Sequence, residues 1–204
     1  MKARDNPFAV DRVLRIRYEF ADDSLEELLA RLQQQGGRGA IVGPHGSGKT
    51  TLLEDLAEQL EARGRQVHLF RLSAERRTIP RETLRAIRSD LDEHDAILCD
   101  GAEQLSAFAW QSFRFRVRRA GILIATIHRA GRLPTLCKTH TTPELLESLV
   151  RRLLGQPTGG LPFSVPALFM RHSGNLRDAL RELYDRYATG ELKVTTLHQL
   201  TLMR

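Results

Sequence analysis

The sequence predicts an α/β protein in which a parallel five-stranded sheet, flanked by helices, precedes a small all-helical subdomain. Short apolar runs that suit buried strands alternate with helical patterns along the first 140 residues. From Pro143 onward, apolar residues recur only at helical spacing. We therefore expect a core at residues 1–140, with an N-terminal segment and helix at 1–38, and a helical subdomain at 141–204.

Each strand is predicted from a short apolar run bounded by polar or glycine residues. The runs lie at residues 39–42, 67–72, 96–99, 121–126 and, as a short fifth strand, within 134–140. Because helical patterns separate these runs, the strands are expected to pair in parallel through helical crossovers.

Helices are predicted between and after the strands. One extends from Leu25 to about Gln34, with Asp23 and Ser24 as capping residues before it and Gly36 after it. Others are expected after residue 51, at 81–91, at 103–119 (although 113–118 alternate like a strand), and around 145–154, 165–169 and 176–184. The first 20 residues are expected to be irregular or partly extended, and a break is expected at 155–160.

Composition limits the class of protein. A chain of 204 residues and 23.1 kDa has the size of one domain, or of one domain with a small appendage. No apolar run is longer than the one at 122–125, which is too short to cross a membrane, and the N-terminus does not resemble a signal peptide. Cys99 and Cys137 make neither a disulfide framework nor a metal cluster, so we expect a reducing, cytoplasmic setting.

The net charge of +6 and the sequence pI of about 9.9 fit either a polyanionic partner or a solvated basic surface. Nearly all the basic residues are arginines, which spread along the chain instead of forming one block. Two local clusters are Arg71, Arg76, Arg77, Arg81, Arg85 and Arg88, then Arg114, Arg116, Arg118 and Arg119. Solvated helix faces are the favoured interpretation, and a nucleic-acid surface is the alternative.

Residues 43–50 contain a glycine, four residues, a second glycine, a lysine and a threonine, which is the pattern of a phosphate-binding P-loop. Glycines let the backbone wrap a phosphate chain, and the N–H groups of the loop and of the next helix face the phosphates. A strand-like run precedes the loop and a leucine-rich helical pattern follows it, as in a P-loop NTPase. The predicted nucleotide-binding residues are Gly43, Pro44, His45, Gly46, Ser47, Gly48, Lys49, Thr50 and Thr51.

Nucleotide chemistry with Mg²⁺ needs further groups around this loop. Lys49 supplies charge to the terminal phosphates, and the Thr50 hydroxyl is placed to ligate the metal. Asp100, at the end of the third strand, fits the Walker B carboxylate that holds Mg²⁺, with an ordinary turn-forming aspartate as the alternative. The sequence therefore predicts a nucleoside triphosphate and Mg²⁺ as ligands.

Hydrolysis also needs a group that orients the attacking water. Many P-loop ATPases place a glutamate directly after the Walker B aspartate, but here that residue is Gly101. Glu103 is the nearest carboxylate, and Glu75, beyond the second strand, is a further candidate. The binding of nucleotide is therefore predicted independently of its hydrolysis.

The chain resembles a compact P-loop ATPase of the AAA+ superfamily or of the related STAND group over most of its length. Residues 122–129 are similar to the sensor 1 strand, whose polar end residue senses the γ-phosphate in that family. Thr126 matches this residue by position, and His128 and Arg129 are close alternatives, Arg129 being the more STAND-like. The resemblance therefore implies ATP as the nucleotide.

Two further segments carry the resemblance. Residues 174–177 are similar to the sensor 2 segment of AAA+ lids, which implies that Arg177 opens a lid helix and reaches the γ-phosphate. Residues 6–8 resemble the short N-terminal segment that lies near the adenine. The chain departs from the family at Gly101, and no arginine finger is assigned among Arg116, Arg118, Arg119, Arg129 and Arg132.

The resemblance implies a slow ATPase that acts as a nucleotide-controlled switch on a partner protein or on nucleic acid, with self-association on ATP as a further expectation. Lys49, Glu103, Thr126 and Arg177 would serve the reaction. A nucleotide-binding adaptor without hydrolysis is one alternative, which Gly101 favours. A small-molecule kinase is another, although no acceptor-binding carboxylate pair follows the second strand. A GTPase is disfavoured because the chain has no Asn-Lys-x-Asp segment.

Overall fold

A computed structural model describes residues 6–20, 23–79, 81–87, 91–155 and 160–192 of the chain. Within it the chain divides into two compact units. The sheet unit comprises Tyr18–Gly43 and Gly48–Thr139, and the helical unit comprises the described parts of 1–17 and 140–204 together with Pro44–Ser47. Arg88 and residues 156–159 of the predicted break at 155–160 lie outside the described residues, as does the side chain of Arg81.

The sheet unit contains the predicted five-stranded parallel sheet. Its strands are β1 (Arg38–Val42), β2 (Gln66–Arg71), β3 (Asp95–Asp100), β4 (Ile122–Ile127) and β5 (Thr135–Lys138). They are arranged in the order β2-β3-β4-β1-β5, and every pair is parallel. Because β4 lies between β3 and β1, the carboxyl ends of these three strands are adjacent at one edge of the sheet.

The described residues of the sheet unit form the α-helices α2 (Leu25–Gln34), α3 (Lys49–Ala62), α4 (Arg81–Ala86) and α5 (Ala107–Arg116). The predicted start of α2 is confirmed. Its N-cap Ser24 accepts the N–H of Glu27 at 3.2 Å, and the Glu27 carboxylate accepts the N–H of Ser24 at 2.8 Å. Arg31 joins α2 to β5 because its guanidinium donates to the carbonyl of Leu136 at 2.8 Å.

Two predicted elements are wrong in detail. The helix expected at 103–119 is a single 3₁₀ turn, Ala102–Gln104, followed by α5. The break arises because the Ser106 side chain accepts the N–H of Ala109 at 3.2 Å and thereby caps a new helix. The N-terminal segment, expected to be irregular or extended, contains a short helix, α1 (Val10–Val13).

The helical unit contains α1 with α6 (Pro143–Leu154), α7 (Val165–Arg171) and α8 (Leu176–Ala188). The side chains of Thr142, Ser164 and Asn175 cap α6, α7 and α8. None of the described helices combines the length and the hydrophobicity that crossing a lipid bilayer requires.

The predicted adenine segment packs inside this unit. Asn6 donates from Nδ2 to the carbonyl of Tyr184 at 2.9 Å, and the rings of Phe8 and Tyr187 meet edge to face at 6.4 Å. Asn6 and Phe8 are both buried. These contacts explain the burial of the segment as part of the helical core, and its predicted place near the adenine stays a prediction.

Hydrophobic cores cover both faces of the sheet. On one face, helix α5 contributes Trp110 and Phe113, and Phe113 meets Phe70 edge to face at 5.5 Å between ring centroids. On the other face, α2 and α3 bury leucines against β1, β3 and β4. The helices flanking the sheet are thus held by apolar burial, which is the main favourable contribution to folding.

Replacing Phe113 with alanine should lower the free energy of unfolding by about 3–5 kcal/mol, because the ring is 1% exposed and its removal leaves a cavity. Phe108, on the same helix, is 83% exposed, so Phe108→Ala should change stability by no more than about 0.5 kcal/mol. Urea denaturation of the two variants tests this, and equal losses would contradict the assigned core.

Candidate functional site

Residues 43–48 connect β1 to α3 and form the predicted P-loop. Gly46 and Gly48 have φ angles of 69° and 82°, a left-handed conformation that residues with side chains rarely adopt. Gly48 is the N-cap of α3, and no acidic side chain lies in the first turn of that helix. The turn therefore presents its N–H groups and the positive end of the helix dipole to an anion without a competing carboxylate.

Lys49 is folded back onto its own loop. The residue is only 8% exposed, and Nζ donates to the carbonyl oxygen of Gly43 at 2.8 Å. The same oxygen lies 3.2 Å from Nδ1 of His128. The hydroxyl of Ser47 donates to the carbonyl of Pro44 at 2.9 Å, a second hydrogen bond within the loop.

The carboxylate of Asp100 lies between two threonine hydroxyls. Oγ1 of Thr50, in the first turn of α3, donates to Oδ2 at 2.9 Å. Oγ1 of Thr126, in β4, donates to Oδ1 at 2.5 Å and accepts the N–H of Gly101 at 2.8 Å. Thr126 is 1% exposed and orients Asp100 in this way, so its predicted contact with a γ-phosphate stays a prediction.

The donor set fits Mg²⁺. A hydroxyl and a carboxylate oxygen 2.9 Å apart at the phosphate loop are hard ligands of the kind that Mg²⁺ prefers. Within the described residues there is no group of three or more histidine, cysteine or acidic side chains that could hold a metal by itself. Mg²⁺ usually binds to one or two protein oxygens and completes its shell with water and phosphate.

The backbone explains why a glycine follows Asp100. Gly101 has a φ of 79°, and a Cβ at this position would lie 2.6 Å from the carbonyl oxygen of Leu72. The obstacle is a backbone atom, which cannot rotate away as a side chain would. Position 101 is therefore closed to the glutamate that often follows a Walker B aspartate.

The predicted carboxylates differ in their surroundings. Glu103 lies in the 3₁₀ turn after β3, and its Oε1 is 2.8 Å from Nε2 of His128. Glu75 is exposed, and the Ser73 hydroxyl donates to it at 2.7 Å, which lowers the pKa of this carboxyl. Among these two, Glu103 is the one connected through His128 to the P-loop.

The remaining predicted residues lie in the loop, in the first turns of helices or just after a strand, and most of them are exposed. Pro44 and His45 are exposed in the loop, Thr51 lies half-buried in the first turn of α3, and Arg129 is exposed just after β4. Arg177 is exposed in the first turn of α8. A positive side chain is disfavoured by the helix dipole at that position, so helix stability does not account for Arg177.

The N-cap of α8 lies beside the P-loop residues that belong to the helical unit. A Cβ at Gly46 would lie 1.9 Å from Oδ1 of Asn175, which accepts the N–H groups of Arg177 and Asp178 at 3.1 and 3.3 Å. Gly46, one of the four residues between the two glycines of the pattern, is thus required by this close approach as well as by its φ of 69°.

The contacts of two residues in this region were not predicted from the sequence. Tyr18 packs on the start of α3: a Cβ at Gly48 would lie 3.1 Å from its ring, and its N–H donates to Asp55 at 2.8 Å. Burial raises the pKa of the Tyr18 hydroxyl to about 12. His128 contacts Glu103 and Gly43; the sequence named it only as an alternative sensor residue within 122–129, and that position was the available signal.

Replacing Gly101 with alanine should destabilise the protein by about 3 kcal/mol, because a left-handed backbone and a contact with Leu72 both oppose the new methyl group. Gly64 has a similar φ of 77°, but a Cβ added there would meet no atom within 4 Å, so Gly64→Ala should cost only about 1–2 kcal/mol. Urea denaturation compares the two, and equal losses would mean that position 101 has room for a side chain.

The comparisons with known proteins agree with this geometry. The family model described as an AAA domain matches residues 30–164, well over half of the chain. Among solved structures, the RuvB Holliday junction branch migration motor of Thermotoga maritima aligns with a TM-score of 0.56 at 18% identity, covering 94% of this chain and 72% of that one. A variant of the same RuvB aligns with a TM-score of 0.57 at 18% identity over 94% and 72%.

A search among curated proteins finds no match. The likeness to RuvB establishes the fold, and the family model covers the P-loop, Asp100 and the strand that ends before His128. The chain therefore belongs to the AAA domain family and is an AAA+ P-loop ATPase in fold and nucleotide site.

Proposed function

We propose that this protein binds ATP with Mg²⁺, hydrolyses it slowly, and acts as a nucleotide-controlled switch on a partner, with nucleic acid as the favoured partner class. The observation that carries the proposal is the hydrogen bond of 2.9 Å between Thr50 and Asp100. It joins the P-loop helix to the end of β3 at the point where a metal–phosphate complex needs two oxygen ligands.

Each residue has a defined part in the proposed reaction. The P-loop N–H groups and Lys49 bind the phosphates, while Thr50 and Asp100 would hold the metal, which supplies charge neutralisation when it is bound. A water oxygen bonds to the γ-phosphorus as the bond to the β–γ bridging oxygen breaks, and ADP leaves with that oxygen. Glu103 accepts the proton that the water loses.

The absence of an assigned arginine finger supports slow turnover. Arg132 donates to the carbonyl of Leu105 at 2.7 Å and lies 5.5 Å over the Trp110 ring, and Arg118 lies 4.1 Å over the Phe115 ring. These two guanidinium groups therefore have structural contacts within the chain. Arg116, Arg119 and Arg129 remain exposed candidates for action on a neighbouring subunit, and self-association on ATP would bring one of them to the phosphates.

Charge supports a nucleic-acid partner. No aspartate or glutamate occurs between Glu103 and Glu144, although acidic residues number 25 in the whole chain. Arginines 114, 116, 118 and 119 are exposed along and just after α5, and two phenylalanines of that helix, 108 and 115, are 83% and 67% exposed. Arginine with exposed aromatic rings is the combination that contacts phosphates and bases.

The switch is proposed to involve Arg177 and the helical unit. The positive charge of Arg177 in the first turn of α8 is unfavourable with the helix dipole, as expected of a residue kept for contact with an anion.

A cytoplasmic setting is proposed because Cys99 and Cys137 are both free. Burial raises the pKa of each thiol.

A nucleotide-binding adaptor without turnover is the second candidate. Gly101 favours it, because the position directly after Asp100 is closed to a carboxylate. The adaptor binds ATP but releases no phosphate, whereas the slow ATPase releases phosphate in single turnover.

Lys49→Ala should weaken ATP binding about 10- to 100-fold, since a charge-assisted contact to phosphate contributes roughly 1.5–3 kcal/mol. Calorimetric titration with ATP and Mg²⁺ measures this. Lys138→Ala is the matched control, because Lys138 is an exposed lysine at the end of β5. Unchanged affinity in a folded Lys49→Ala variant would contradict the nucleotide site.

Double-stranded DNA should raise the rate of phosphate release by the wild-type protein several-fold. Reversing the charge at two positions, with Arg114→Glu and Arg119→Glu, should remove that stimulation. The rate of phosphate release without DNA should stay unchanged. Reversal of Arg63, an exposed arginine at the end of α3, serves as the control. Stimulation that survives the reversal of Arg114 and Arg119 would exclude α5 as the contact, and the absence of any phosphate release would support the adaptor.

A further inference from the structure

His128 connects two parts of the site that are far apart in the sequence. It follows β4 directly, and β4 lies between β3 and β1 in the sheet. One ring nitrogen, Nε2, is 2.8 Å from Oε1 of Glu103, beyond the end of β3. The other, Nδ1, is 3.2 Å from the carbonyl oxygen of Gly43, directly after β1. The strand order thus makes His128 a bridge across the carboxyl edge of the sheet.

The hydrogen-bonding groups fix one direction in this bridge. A carbonyl oxygen only accepts, so Nδ1 of His128 is the atom that donates to Gly43. The other ring nitrogen, Nε2, is then the atom that meets the Glu103 carboxyl.

The bridge continues to Lys49. The Gly43 carbonyl accepts from Nζ of Lys49 at 2.8 Å as well as from His128, which uses both of its lone pairs. Glu103, His128, Gly43 and Lys49 thus form one connected series of hydrogen bonds. The carboxylate is tied through a single imidazole ring to the loop that faces the phosphates.

The two oxygens of Glu103 differ. Oε1 is held by His128, whereas Oε2 is buried and has no hydrogen-bond partner among the described residues. A buried carboxylate oxygen without a partner costs free energy, and a structural ion pair gives no reason for that cost. A carboxylate that must accept a hydrogen bond from a water requires one such oxygen.

We propose that His128 is the positioning residue that fixes Glu103 for activation of the attacking water. The inference rests on the proposed ATPase function. Because position 101 is closed, the carboxylate is supplied two residues later, from a 3₁₀ turn instead of from the strand end. His128 restores the fixed geometry by holding Oε1 against the P-loop and leaving Oε2 to the water.

The test compares single-turnover phosphate release and ATP affinity across a set of variants. Glu103→Gln should lower the rate constant of release about 10²- to 10⁴-fold, as expected for loss of a general base. His128→Ala should lower it about 100-fold through misplacement of Glu103, with the Kd for ATP unchanged. Adding His128→Ala to Glu103→Gln should cause no further loss, because the two residues act as one unit.

Conservative variants separate positioning from a purely structural role. In His128→Gln the longer amide reaches toward Glu103 and should restore part of the rate. In His128→Asn the shorter amide keeps only the contact with Gly43 and should not. His94→Ala removes an exposed histidine paired with Asp92 and should leave the rate unchanged.

Four outcomes would overturn the inference. Additive losses in the double variant, or weaker ATP binding with an unchanged rate in His128→Ala, would mean that His128 acts elsewhere. A wild-type rate in Glu103→Gln would remove Glu103 from the reaction and leave the ATPase proposal intact. No phosphate release by the wild type would overturn the proposed hydrolysis itself, and the assignment of His128 with it.

Discussion

The carboxylate of Asp100, held between Thr50 and Thr126, is the interaction on which the site depends. It hydrogen-bonds the first turn of α3 on one side and β4 on the other, so it fixes the P-loop helix against two strands. A carboxylate only 15% exposed is costly to bury unless its oxygens are satisfied, and two hydroxyl donors satisfy them here. The arrangement that stabilises this edge of the sheet is also the one that offers two oxygen ligands to a metal.

Backbone geometry at one glycine changes how this site is completed. The left-handed turn at Gly101 directs the chain past the Leu72 carbonyl, which leaves no volume for a side chain where related ATPases have a glutamate. The next carboxylate, Glu103, leaves the sheet on a 3₁₀ turn and is held by His128. Because of this local steric constraint, the nearest carboxylate is not held by the strand itself but contacts His128, the residue that follows β4.

The charged residues of the surface differ from those of the site in their surroundings. The chain from Gln104 to Pro143 carries no acidic residue, so the arginines of α5 have no nearby carboxylate in their own segment. In the site, by contrast, each charge has a nearby polar partner, with Lys49 on a carbonyl and Glu103 on an imidazole. The proposed contact with a polyanion rests on these exposed arginines, since positive charge at a solvent-exposed helix attracts phosphates.

The sequence by itself determined the parallel sheet, the P-loop, and Asp100 at the end of β3. The hydrophobic period, the spacing of the motif residues and the elements that flank the motif are all local properties of the chain. The sequence also placed α2 correctly, since Ser24 and Glu27 form their capping box within four residues. Only the tertiary structure decided the pairing of His128 with Glu103, the closure of position 101 by Leu72, and the orientation of Asp100 by Thr126. Each of these joins residues that lie on or just beyond different strands, and their proximity follows from the strand order, which no local pattern encodes.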